Sequence, residues 1–128
     1  MSSVNVILKN FDHPTESRTF PKGKFELVEI GGMTIGRATY EPGWKWSEHI
    51  GAEMGVSKCE VEHVGLVISG RATASMSDGN IIEMKPGDLF YIPPGHDSWV
   101  VGDGLTFRCT FLERRIMQRN EDARAAKH

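Results

Sequence analysis

Residues 87–101 read GDLFYIPPGHDSWVV, and this stretch indicates the fold. Two short apolar runs, LFYI and SWVV, flank a Pro-Pro-Gly corner, and a Pro-Gly turn precedes the first of them. Proline restricts the backbone and glycine tolerates positive φ, so this spacing is typical of short strands joined by tight turns. The corner also places His96 and Asp97 at the start of an apolar strand, where burial of an ionisable group is costly unless it is hydrogen-bonded or paired.

The rest of the chain repeats this alternation of short strands and turns. Fourteen glycines and six prolines separate pieces in which apolar and polar residues alternate, without a convincing helix. The pattern predicts an all-β domain with strands at Phe25–Ile30, Met33–Tyr40, Glu60–Ser69, Ala72–Ser77, Ile81–Lys85, Leu89–Pro93, Ser98–Val101 and Leu105–Leu112. Residues 1–24 are expected to form an N-terminal strand and a polar connector over 10–24. Residues 113–128 are expected to form a charged tail, solvated or briefly helical.

Length, charge and cysteine content exclude several classes of protein. A chain of 128 residues fits one domain, and its net charge of −2 does not favour a nucleic-acid partner. No apolar run approaches the ~20 residues that cross a membrane, and the N-terminus lacks the pattern of a signal peptide. Two cysteines are too few for a disulfide framework. These features predict a cytoplasmic protein with free thiols and no nucleic-acid or membrane partner.

Three of the five histidines occupy positions that need an explanation. His49 ends the tryptophan-rich segment PGWKWSEH, His96 follows the Pro-Pro-Gly corner, and His63 lies inside the strand EVEHVGLVIS. Strand alternation puts His63 on the same face as Cys59, Val61, Gly65 and Val67, which we take as the inward face. An inward histidine is either a core residue with satisfied ring nitrogens or a metal ligand. Three imidazoles on separate β segments would leave coordination positions open.

Two motifs in this sequence resemble those of the cupin superfamily, which are small β-barrels of the jelly-roll type. The first cupin motif is glycine, five residues, His-x-His, three or four residues, glutamate, six residues and glycine. Here Gly43-WKWSE-His49 matches its front and His63-VGLVIS-Gly70 matches its end. The second motif begins with glycine, five residues and Pro-x-Gly, which Gly87-DLFYI-Pro93-Pro94-Gly95 matches. The resemblance implies a single-domain cupin-type jelly-roll β-barrel over residues 25–112.

The departures from the motifs concern the metal ligands. In the first motif, Gly51 occupies the position of the second histidine and His63 that of the glutamate. In the second motif, Ser98 occupies the position of the histidine and Gly102 that of the asparagine. Of the usual ligands only His49 keeps its own place. The resemblance still implies an inward ligand position at His63.

A displaced ligand could restore the site. His96 lies two residues before Ser98, one pleat or about 6.5 Å along the strand, and shares its face. The candidate ligands are therefore His49, His63 and His96, with Glu53 or Cys59 as a possible fourth. Cys59 would lie about 13 Å from His63 along an extended strand, so it reaches the site only if the chain bends.

Other side chains are candidates for a ligand pocket. Trp46 and Ser98 could line it, and Arg37 could anchor a carboxylate, although a surface arginine is the simpler interpretation. Asp97 is predicted to face outward and cap the corner, or else to bond a ligating histidine. Cys109 is predicted to be a core residue on the inward face of the last strand.

These observations predict a metal-binding cupin that binds and transforms a small organic molecule inside the barrel. Zinc or iron is the expected metal, and oxygenase, isomerase and lyase chemistry all remain open. The alternative is a non-catalytic sensor or carrier of a small ligand, and a metal-free barrel with structural histidines is a third reading. Unpaired sheet edges and tryptophans predict a homodimer.

Overall fold

The computed structural model describes residues 5–102, 104 and 106–112, so the predicted tail at 113–128 lies outside the described residues. Within these residues the chain forms nine strands and one short helical segment. The strands are β1 (Glu16–Phe20), β2 (Gly23–Ile30), β3 (Met33–Tyr40), β4 (His63–Ser69), β5 (Arg71–Met76), β6 (Ile81–Met84), β7 (Leu89–Ile92), β8 (His96–Val101) and β9 (Thr106–Leu112). The predicted all-β class is confirmed.

The strands form two antiparallel sheets with a common core. Six strands pair in the order β1-β2-β3-β9-β4-β7, and three pair in the order β6-β5-β8. After β4 the chain passes to the small sheet for β5 and β6 and returns to the large sheet for β7. It then crosses to the small sheet for β8 and back to the large sheet for β9. This alternation between two sheets is the topology of a jelly roll.

Two apolar clusters hold the sheets together, because each contains residues of both. One consists of Val67, Ala72, Ala74, Met84 and Ile92, and the other of Ala38, Tyr40, Trp44 and Val100. The second cluster is aromatic, since the Tyr40 and Trp44 rings stack with centroids 4.0 Å apart. Full burial of a side chain such as valine, isoleucine or methionine stabilises the fold by roughly 1.5–3 kcal/mol, because apolar surface is removed from water.

The strand β9 differs from its predicted orientation. Thr106, Arg108 and Thr110 are its buried residues, whereas Cys109 is only half-buried. The register explains the difference, because Arg108 lies opposite Ala38 on β3 and Val67 on β4, both inward core residues. The inner face of β9 is therefore its polar face, and Cys109 is on the outer one.

Two segments that the sequence pattern did not predict are regular structure. Strand β1 lies within the expected connector and pairs along the edge of the large sheet with β2. A π-helical turn, Ser47–Gly51, continues into a single α-helical turn, α1 (Ala52–Met54). Gly55 ends α1 with φ of +72° and donates its N–H to the carbonyl of Ala52. Eight residues are too few to reveal a helical period in the sequence.

The Pro-Pro-Gly corner forms as expected between β7 and β8. Gly95 has φ of +91°, a conformation that side chains with a Cβ rarely adopt. The backbone therefore reverses tightly, and His96 becomes the first residue of β8.

Candidate metal centre

Cys59, His63 and His96 come together where β4 and β8 begin. One ligand atom from each residue, the cysteine Sγ and a nitrogen of each imidazole, lies within 4.8 Å of the other two. The Sγ of Cys59 is 3.7 Å from Nε2 of His63. The rings of His63 and His96 meet edge to face, with centroids 5.0 Å apart and planes inclined by 73°.

The backbone sets the position of Cys59. Its N–H donates to the carbonyl of His96 at 2.7 Å, and its carbonyl accepts from the N–H groups of Gly95 and His96 at 2.8 and 3.2 Å. This isolated antiparallel bridge draws Cys59 out of the line of β4, which starts only at His63. The bend that the sequence required for Cys59 to reach the site is therefore present, and the thiol is buried with 3% of the residue exposed.

His96 is held in one tautomer. Its Nδ1 lies 2.8 Å from the carbonyl oxygen of Pro93, which can only accept, so Nδ1 carries the hydrogen. The other nitrogen, Nε2, then has a free lone pair, as a metal ligand requires. Burial lowers the pKa of His96, and the positive charge of Arg108 lowers it further, against the opposing effect of the Pro93 hydrogen bond. The neutral imidazole is favoured, and only the neutral form binds a metal ion.

The structure differs from the predicted ligand set at His49 and Glu53. Nδ1 of His49 lies 3.0 Å from the backbone nitrogen and 3.1 Å from the carbonyl oxygen of Lys45, so this atom is engaged within its own helical turn. Glu53 lies on α1 and is exposed. Both lie on the helical segment, and neither belongs to the cluster that the described residues form.

The residues predicted to line a pocket have different surroundings. Arg37 donates to Oε1 of Glu26 from Nε at 3.1 Å and from Nη2 at 3.0 Å, on the sheet face opposite Ala38. Trp46 packs against the aromatic core cluster. Ser98 is buried on β8, opposite Ala74 of β5.

Asp97 is buried, contrary to the expectation that it faces outward. Its carboxylate accepts three hydrogen bonds, from the backbone N–H of Ser47 at 3.0 Å, the hydroxyl of Ser47 at 2.8 Å and the N–H of Ser98 at 2.9 Å. It therefore ties the helical segment to β8 beside His96, and the ring of His96 donates its hydrogen bond to Pro93 instead.

The pattern of the sequence did not point to Arg108. Its guanidinium is buried in the interior and donates from Nη2 to the hydroxyl of Tyr40 at 2.6 Å. The one available signal was strand parity, since Thr106, Arg108 and Thr110 share a face. The apolar residues of the opposite face concealed it.

A cleft of about 370 Å³ opens between the edge strands β6 and β7. Its walls include Phe90, which contacts Arg108, and Pro93, whose carbonyl holds His96. The volume falls within the range of small-molecule sites. The other lining residues are Ala74, Met76, Asn80, Ile82, Glu83, Met84, Asp88, Leu89, Tyr91 and Ile92.

Solved structures share this arrangement of strands, whereas comparison of sequences finds no match. No family sequence model matches the chain, and none of the curated proteins matches it by sequence. A Cupin 2 conserved barrel domain protein from Salinispora arenicola superimposes with a TM-score of 0.56 over 99% of this chain and 100% of its own, at 15% identity. An RmlC-like cupin with a double-stranded β-helix fold from Methanocaldococcus jannaschii gives 0.57 over 91% and 99%, at 13% identity.

The chain has a cupin fold. A third match to this cupin fold is KdgF from a Halomonas species, with a TM-score of 0.56 over 89% of this chain and 99% of that one, at 16% identity. The resemblance expected from the two motifs is thus confirmed at the level of fold.

No helix among the described residues is long and apolar enough to cross a membrane. The homodimer, the cytoplasmic location and the absence of a nucleic-acid partner stay predictions.

Proposed function

We propose that Cys59, His63 and His96 hold a divalent transition metal ion, zinc or iron, and that the protein binds and transforms a small organic molecule beside it. The observation that carries the proposal is the convergence of one sulfur and two imidazoles within 4.8 Å. A thiolate with two imidazoles is a donor set that suits zinc and iron. Of the three predicted histidines, this set includes His63 and His96 but not His49. Of the two candidates for a further ligand, it includes Cys59 and not Glu53.

The spacing of the donor atoms fits such an ion. Across a tetrahedral zinc ion, sulfur and nitrogen ligands at their usual distances are about 3.6 Å apart. The Sγ of Cys59 and Nε2 of His63 are 3.7 Å apart. The pair of Cys59 and His63 therefore already has the separation that a shared ion requires. The hydrogen bond from Nδ1 of His96 to Pro93 leaves Nε2 unprotonated and able to bind an ion.

The chemistry follows from the number of ligands. Three protein ligands leave a coordination position for water or substrate, and a bound ion supplies Lewis acidity there. The protein's own contribution is to exclude bulk water, because Cys59 and His96 are both buried, and to keep His96 neutral. The cleft beside Pro93 supports a small molecule as the ligand.

Elemental analysis of protein purified without chelators, then incubated with zinc or ferrous iron, tests the proposal. We expect one metal ion per chain in the wild type and far less in Cys59→Ser, His63→Ala and His96→Ala. His49→Ala and His13→Ala are the matched controls and should keep full occupancy. A wild type without metal after both incubations would refute the proposal. Loss of metal in His49→Ala but not in Cys59→Ser would restore His49 as a ligand in place of the cysteine.

The same variants separate an enzyme from a carrier. If the loaded wild type binds a small molecule and converts it, and His63→Ala does not, the centre is catalytic. Binding without turnover across the same compounds would assign the sensor or carrier role instead.

A further inference from the structure

Arg108 is a buried positive charge without a negative partner in the described part of the chain. Only 5% of the residue is exposed, and no carboxylate of the described residues forms an ion pair with it. It lies on β9 between the two apolar clusters, opposite Ala38 and Val67. A buried charge is costly unless it is paired, so its presence here needs a reason beyond packing.

The unused donors of Arg108 lie next to another polar group. Nη2 donates one hydrogen to the hydroxyl of Tyr40 at 2.6 Å, whereas Nε has no hydrogen-bond partner among the described residues. Nη2 carries two hydrogens, so a second donor remains there. The Tyr40 hydroxyl accepts from the arginine and keeps its own hydrogen to donate. An oxyanion placed beside Nε and Nη2 of Arg108 and the hydroxyl of Tyr40 would receive several hydrogen bonds at once.

Aromatic rings hold the guanidinium in place and do not neutralise it. The carbon Cζ of Arg108 lies 5.1 Å from the ring centroid of Tyr40 and 5.2 Å from that of Phe90. Such contacts contribute less than the cost of burying a charge. They orient the group and leave its charge available to a ligand.

The same arginine neighbours the cleft. Phe90 contacts the arginine and also lines the cleft. Pro93 lines the cleft as well, and its carbonyl accepts the hydrogen bond from the ring of His96. An anion on Arg108 would therefore place the rest of a small molecule toward the cleft.

We infer that Arg108, with the hydroxyl of Tyr40, binds the carboxylate of a small organic acid whose remaining part lies toward the cleft. The inference rests on the proposed function for the neighbouring metal, and it names the substrate class. A carboxylate suits this edge because its two oxygens match the planar guanidinium, and its charge neutralises the buried arginine. This assigns to Arg108 the anchoring role that the sequence had suggested for Arg37.

Calorimetric titration of the metal-loaded protein with acetate, succinate and benzoate tests the inference. Benzamide is the neutral counterpart of benzoate, and inorganic phosphate is the competing oxyanion. At least one carboxylate should bind, benzamide should not, and Arg108→Met should weaken binding about 10- to 100-fold, the usual effect of losing hydrogen bonds to a charge. Tyr40→Phe should weaken it less, and Arg37→Lys, which keeps its pair with Glu26, should leave it unchanged.

Stability distinguishes this role from a structural one. Because the charge is buried and has no negative partner among the residues that the structure describes, Arg108→Met should unfold at the same urea concentration as the wild type or a higher one. A large loss of stability would indicate that the arginine serves the fold. The inference is overturned if none of the three carboxylates binds, or if phosphate alone binds. It is also overturned if benzamide binds as well as benzoate does, or if Arg108→Met binds as tightly as the wild type.

Repeating the titration with metal-free protein separates this inference from the proposed function. If carboxylates bind through Arg108 but no metal loads, the metal proposal fails and the anion site stands. If one metal ion loads per chain and no carboxylate binds, the metal proposal stands and the anion site fails.

Discussion

Asp97→Ala should remove the connection between β8 and the helical segment at a large cost in stability. The carboxylate accepts three hydrogen bonds, and 6% of the residue is exposed. After the substitution the buried N–H of Ser98 loses its partner, at about 1–3 kcal/mol. Ser47 is half-buried and regains some water, so its two bonds account for about 1 kcal/mol each. The free energy of unfolding should fall by roughly 3–5 kcal/mol, a large share of the 5–15 kcal/mol usual for a domain.

Urea unfolding followed by tryptophan fluorescence measures this change. Asp97→Asn keeps an oxygen for the two N–H groups and presents an amide to the hydroxyl of Ser47, so it should cost only about 1–2 kcal/mol. Asp78→Ala is the matched control, because that carboxylate accepts one N–H, from Asn80, in an exposed turn. The reasoning is refuted if Asp97→Ala unfolds within about 1 kcal/mol of the wild type, or if Asn is as costly as Ala.

Two further predictions concern the large sheet. Gly65→Ala would bring a Cβ to 2.6 Å from the Phe90 ring and against the carbonyl of Cys109, so the free energy of unfolding in urea should fall by roughly 1–3 kcal/mol. Gly104→Ala, which would have no atom within 4 Å of its Cβ, should lower the free energy of unfolding hardly at all. Equal effects of the two substitutions would contradict the packing. Burial raises the pKa of the Cys109 thiol above its ordinary 9.0, against the opposing charge of Arg37. The folded chain therefore keeps this proton to higher pH than the unfolded chain, and the stability it contributes is lost as pH rises above 9.0. In Cys59→Ala, alkylation of Cys109 at mildly alkaline pH should be slower in the folded than in the urea-unfolded protein, and equal rates would contradict the effect of burial.

The sequence predicts His63 and His96 as neighbours because their positions depend on local rules. A Pro-Pro-Gly corner starts a strand at His96, and strand alternation directs His63 toward the same interior. Cys59 depends on a non-local bridge to His96, which no spacing along the chain reveals. His49 follows the motif in sequence, but it lies on a helical turn of only a few residues, without a readable period, and does not join the cluster.

Arg108 illustrates a different limit of sequence patterns. The faces of β9 carry Phe107 and Cys109 on one side and Thr106, Arg108 and Thr110 on the other, and a hydrophobic pattern directs the first set inward. Pairing with β3 and β4 decides otherwise. An interior that binds a ligand, as we infer for Arg108, need not be apolar, and a hydrophobic pattern then assigns the wrong face of the strand to the core.

The bridge between Cys59 and His96 has a consequence for metal exchange. Two of the proposed ligands are joined by backbone hydrogen bonds that do not involve the metal, so their separation is set when the sheets form. Metal sites in small zinc domains are created by the ion itself, and those domains unfold without it. An ion bound at the proposed site would enter a framework that already exists. We therefore expect the metal to be exchanged, or lost to a chelator, while the circular dichroism spectrum of the strands stays the same.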